Sequence, residues 1–148
     1  MRRLLPVAIG LLLLPFLAGS VALVAWNIAV GSLAQAVGVG PEVGPDAPLA
    51  ARTLAQHIFV LVQTTLAGLI GATIATRVAK SRPGTHILVF SAVWIVLDIL
   101  GMTLGPGQVL PQWYKVLGLS LVPPQLFAGY KLGMVWRSRA RPSADAEG

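Results

Sequence analysis

An all-α, polytopic membrane protein is predicted, with four transmembrane helices in an up-down-up-down bundle and both termini in the cytoplasm. Three observations carry that expectation. The chain of 148 residues is 55% hydrophobic and only 11% charged, whereas soluble domains carry about a quarter charged residues. Four apolar stretches, at residues 4–30, 54–79, 86–104 and 113–136, each approach or exceed the roughly 20 residues that cross about 30 Å of hydrocarbon. Lys and Arg gather at the ends of these stretches, where a membrane protein puts them. A net charge of +6 therefore does not imply a nucleic-acid partner, which needs basic side chains on one solvated face. The absence of cysteine removes disulfides, thiolate catalysis and iron–sulfur ligation.

The first stretch opens on Arg2-Arg3 and a leucine-rich run, and with Ser20-Val21-Ala22 it also looks like a secretory signal peptide. The apolar run, however, continues to Val30, beyond an h-region of about 7–15 residues, so a retained span is expected. Gly31 to Val37 is read as a tilted extension or an interfacial turn. Gly40-Pro41, Gly44-Pro45 and Ala47-Pro48 cannot continue a helix, so residues 38–50 form an external loop.

The second stretch has two faces at 100° per residue. Thr53, Gln56, His57, Gln63, Thr64, Ala67, Gly68, Gly71 and Ala75 share one arc, opposite Ile58, Phe59, Val62, Leu66 and Leu69. Because lipid offers no hydrogen-bond partner, the polar and small arc should face the bundle, with Gly68, Gly71 and Ala75 admitting a neighbour closely. Lys80-Ser81-Arg82-Pro83-Gly84 then breaks the helix. The third stretch contains Asp98 and ends at Gly105-Pro106-Gly107, with Pro111 beyond it. Such short links make sequential spans antiparallel.

The fourth stretch carries Gly118, Gln125, Gly129 and Gly133 on one face, the last two in GxxxG spacing, a packing signal. Pro123-Pro124 removes two amide donors in mid-span and predicts a kink, with the carbonyls of Leu119 and Ser120 left exposed. Residues 1–137 thus form one transmembrane domain, and residues 138–148 a short disordered cytoplasmic tail.

Orientation follows from the flanks. Arg2, Arg3, Arg77, Lys80, Arg82, Lys131, Arg137, Arg139 and Arg141 fall on one side, and only Arg52 and Lys115 on the other. The first side is therefore cytoplasmic and the membrane the inner one. Trp26, Trp113 and Tyr114 belong to the outer aromatic belt, Tyr130 and Trp136 to the inner.

An acid within a span costs several kcal/mol unless it is paired, neutralised or wet. Asp98 shares a helical face with Ser91, Trp94 and Gly101, at a depth close to that of Asn27, Gln56, His57 and Gln63. These five polar residues form the candidate pocket in the outer half, with Asp98 meeting His57 and Lys115 reaching down from above. The pocket is either a proton or small-cation site or a satisfied network that fixes helix register.

Nothing points to catalysis. His57 and His86 are expected on opposite sides of the bilayer, too far apart for one haem iron. His57 and Asp98 alone are too few for a structural zinc site, which takes about four ligands. No cofactor or metal is called for. The leading expectation is a non-enzymatic accessory or interaction subunit in lipid, self-associating through its small-residue faces or joined to another membrane protein. The alternative is a small proton- or cation-linked transporter or channel using Asp98 and His57. A third is partner or cation sensing by Glu42 and Asp46 in the external loop.

The chain also resembles small bacterial four-helix membrane proteins of unassigned function. The resemblance rests on Gly68-Leu69-Ile70-Gly71-Ala72-Thr73-Ile74-Ala75-Thr76-Arg77, on Pro111-Gln112-Trp113-Tyr114, and on Pro124 with Gly129. It covers about two-thirds of the sequence and implies a four-helix fold. Where an acid is expected near the outer end of the first span, this chain has Asn27.

Overall fold

The computed structural model describes residues 4–38, 52–79 and 81–139, with the α1 side chains from Leu13 onward. The described residues form four long helices: α1 (Leu4–Ala36), α2 (Leu54–Val78), α3 (Pro83–Thr103) and α4 (Gln112–Arg139). A short 3-10 turn, Pro106–Val109, joins α3 to α4. α1, α2 and α3 are long and apolar enough to cross a membrane. α4 is longer than α2 but interrupts its apolar run with Lys115, Gln125 and Lys131.

α1 stays helical to Ala36, so of the two readings expected for residues 31–37 the helical extension is the one adopted through residue 36. One boundary departs from the sequence expectation. α4 continues to Arg139, so Ser138 and Arg139 belong to a helix and not to a tail. The Pro-rich loop with Glu42 and Asp46, and the tail beyond Arg139, lie outside the described residues.

Local chemistry sets the helix starts. Thr53 caps α2 through a reciprocal box, its Oγ1 accepting from the Gln56 amide while Gln56 Oε1 accepts from the Thr53 amide at 2.9 Å, which satisfies two donors that lipid could not. α3 starts with Pro83 in its first turn, after Arg82 in the left-handed region at φ 42°. The 3-10 turn is tied down by Gln108 Nε2 donating to the Thr103 carbonyl at 2.6 Å and Lys115 Nζ donating to the Gln108 carbonyl at 2.8 Å. Thr64, Thr73, Ser91 and Thr103 return their hydroxyls to carbonyls of their own helices, the solution a helix uses in lipid.

Helix packing does not follow chain order. α2 is central and packs most extensively on α4 and then on α1, while α1 and α4 do not touch. α3 contacts the other three sparsely, and only His86 and Phe90 along it are buried. Consecutive helices still run antiparallel, but the dominant seam joins the parallel pair α2 and α4. Gly129 lies against Leu69 and Ala72, and Gly133 against Thr73 and Thr76. A Cβ on Gly129 would stand 2.5 Å from the Leu69 carbonyl, and one on Gly133 2.6 Å from Thr76 Cβ. The small row Gly68, Ala72 and Thr76 thus runs beside the row Gln125, Gly129 and Gly133, both at four-residue spacing, as in close small-residue pairs.

The antiparallel α1–α2 contact is built the same way, since a Cβ on Gly19 would stand 2.7 Å from the Gly71 carbonyl. Phe90 is fully buried between these seams, with Ala72, Ala75, Val122 and Leu126, and meets Phe16 edge-on at 5.8 Å. α4 remains helical through Pro123 and Pro124, and both rings lie on its exposed side. Of the side expected to face lipid, Ile58, Val62 and Leu66 are exposed.

Candidate functional site

Toward one end α2 and α4 are tightly joined, and toward the other the bundle is hollow. Beside Gly129 and Gly133 the helices are in near backbone contact. Toward the end that carries the 3-10 turn they separate around a cavity of about 220 Å³. All four helices contribute: Asn27 from α1, Thr64 and Thr65 from α2, Trp94 and Asp98 from α3, and Tyr114 and Gln125 from α4. Leu23, Leu61, Phe90, Met102, Val122 and Leu126 supply an apolar wall.

Asp98 is the only carboxylate among the described residues. It forms neither a hydrogen bond nor an ion pair with any of them. It reaches the cavity because α3 carries Trp94, Asp98 and Met102 at four-residue spacing on one face. Two polar atoms of residues in the lining, Trp94 Nε1 and Gln125 Oε1, are buried without a partner among the described residues. A buried polar atom left unpaired costs on the order of 1–3 kcal/mol, and both atoms are covered by protein, not open to the hollow, with Gln125 packed against Gly68. Arg52 and Asp98 both lie within electrostatic reach of the Tyr114 hydroxyl.

The five residues expected to share one pocket are divided. Asp98 and Asn27 line the cavity; His57, Gln56 and Gln63 do not. Gln56 is committed to the α2 cap. Gln63 ties α2 to α1, its Nε2 donating to the Asn27 carbonyl at 2.9 Å and to Asn27 Oδ1 at 3.3 Å, while Trp26 Nε1 donates to the Gln63 carbonyl at 3.2 Å. Asn27 Nδ2 returns to the Leu23 carbonyl.

The expected meeting of Asp98 with His57 does not occur. His57 Nδ1 lies 2.9 Å from the Thr53 carbonyl one turn back, and the buried ring stands edge-on to Trp113 and Tyr114, with centroids 5.8 and 5.3 Å away. The aromatic pair that follows Pro111 covers the imidazole and turns it from the acid. Lys115 does not reach Asp98 either, because its ammonium is held by the Gln108 carbonyl.

His86 starts α3 at the opposite end from His57, with Nδ1 3.0 Å from the Arg82 carbonyl. Among the described residues no three His, Cys, Asp or Glu gather as metal ligands would. Gly68, Gly71, Ala75, Gly129 and Gly133 are all buried within the chain, and Gly68 backs directly onto the Gln125 side chain.

Sequence reasoning placed Gln125 on a packing face and missed it, Trp94 and Tyr114 as lining. The four-residue step from Trp94 to Asp98 was a usable signal. Gln125 had another, as the one amide side chain amid the apolar and small residues of the middle of α4.

No family model, no curated protein and no solved structure matches the chain.

Proposed function

We propose that the protein is a non-enzymatic, cation-linked membrane protein of the carrier type, whose four helices hold one small cation beside Asp98. The observation that carries this reading is a cavity shared by all four helices and lined by a carboxylate with no hydrogen-bond or ion-pair partner among the described residues. An acid within a span is retained at a cost and marks an ion or substrate path by default. A purely structural role for Asp98 predicts satisfied hydrogen bonds around it, and among the described residues it has none.

The hollow stops at the level of Val122 and Leu126, and beyond it α2 and α4 close on each other at the glycine seam, which favours a carrier over an open channel. Self-association through small-residue faces loses its support, because those faces are occupied within the chain.

In this reading α4 is a fourth span, because it runs beside α2 along the Gly68–Thr76 seam and must share its depth. The described basic residues divide as Arg77, Arg82, Lys131, Arg137 and Arg139 at the tight end and Arg52 and Lys115 at the hollow end. The tight end then faces the cytoplasm of an inner-membrane protein and the cavity opens outward. Arg77 also packs on the Trp136 ring at 3.6 Å, an anchor suited to an interface.

Infrared difference spectroscopy of the Asp98 carboxyl in nanodiscs tests the reading, with inorganic and ammonium cations added in turn. A carboxyl band that responds to at least one cation and vanishes in Asp98→Asn is expected, with helicity and elution of the variant unchanged. A band indifferent to all of them would reject the site.

A further inference from the structure

We infer that the cation taken up by the cavity is a small organic ammonium ion bearing N–H groups, such as a protonated primary amine, and not an inorganic ion. The inference rests on the reading of the Asp98 cavity as a cation site. Charge comes first: a single carboxylate balances one positive charge, which points to a monocation.

Shape and lining come second. At about 220 Å³ the space exceeds the roughly 150 Å³ cavity that admits benzene and falls below the ~300 Å³ where drug-sized sites begin. A bare metal ion would leave most of it empty and would call for about six converging oxygens. The oxygens here are dispersed over four helices, and Asn27 Oδ1 already accepts from Gln63. A hydrated ion would press its water against Phe90, Val122 and Leu126. An alkyl group is accommodated by the same apolar wall.

Aromatic rings come third. Trp94 and Tyr114 line the cavity with Asp98, and aromatic side chains beside a negative charge suit an ammonium group. Asp98 itself decides among ammonium ions. Its carboxylate oxygens accept from N–H donors as well as balancing the charge, and a quaternary nitrogen has no N–H to donate.

The test is equilibrium binding of labelled propylammonium to the full chain in nanodiscs, with competition by ethanolammonium, tetramethylammonium and Na⁺. Ethanolammonium should compete about as well as propylammonium, tetramethylammonium about tenfold more weakly, and Na⁺ not at all. Asp98→Asn, close in volume, should weaken propylammonium at least about tenfold, with helicity and elution of the protein unchanged.

Competition by Na⁺ at the level of the amines would overturn the organic class. Equal binding of tetramethylammonium would overturn the requirement for N–H groups. A carboxyl band that answers only inorganic ions sinks this inference and leaves the cation site standing. A silent band with no binding of any probe sinks both.

Discussion

Gln63 and His57 sit less than two turns apart on α2, and their side chains do different work. Gln63 makes the described side-chain hydrogen bonds between α1 and α2, to both oxygens of Asn27, and its carbonyl receives Trp26. Interhelical hydrogen bonds in membranes average about 0.6 kcal/mol. Gln63→Leu is expected to lower stability in detergent by about 1 kcal/mol, read by thermal unfolding, and to leave Asp98 chemistry untouched.

His57 shows what a sequence leaves unread. Periodicity fixed the side of α2 it faces and its depth, yet the ring was claimed by the Thr53 carbonyl and by Trp113 and Tyr114 arriving from α4. Azimuth and depth do not say which neighbour comes first. The same applies to Asp98, legible as an inward-facing acid because lipid forbids the alternative. The residues that share the cavity with it, Trp94 and Gln125, depended on how α3 and α4 are rotated.

Between elements, one chemical change should have opposite effects at two glycines. At Gly129 an added methyl meets the Leu69 carbonyl and Ala72, so α2 and α4 must separate. Gly129→Ala is expected to cost about 1–3 kcal/mol. At Gly101, in the last turn of α3, nothing lies within 4 Å of the added atom, and replacing a helical glycine gains up to about 0.5–1 kcal/mol. Thermal unfolding of Gly129→Ala and Gly101→Ala in the same detergent compares them directly. Equal behaviour would refute the seam. The four helices were legible because hydropathy and breakers mark them, and the inward rows were legible from small residues at four-residue spacing. The pairing was not. Short links dictate direction and proximity of helix ends, whereas the size of facing side chains dictates approach, and on that ground α4 outcompetes α3 for α2.

For the molecule as a whole, the tight end and the hollow end are distinguished by charge as well as packing. The chain contains no cysteine, so single introduced thiols report sidedness without background. Ser138→Cys, at the basic end, should react with an impermeant thiol reagent only from the cytoplasm, and Gln108→Cys, in the 3-10 turn, only from outside. Labelling of both from one side would remove the fourth span.

The α2–α4 seam from Gly68 to Thr76 contains no hydrogen bond between the two helices; Thr73 bonds within α2, and Thr76 Oγ1 and Gln125 Oε1 have no partner. In water the hydrophobic effect would hold such a joint shut, but acyl chains are as apolar as the helices themselves. With α4 as the proposed fourth span, lipid tails would compete with Gly129 and Gly133 for the same narrow surface of Ala72 and Thr76. The bilayer would then be a rival occupant of the joint, and its chain packing would set how readily the closed end parts.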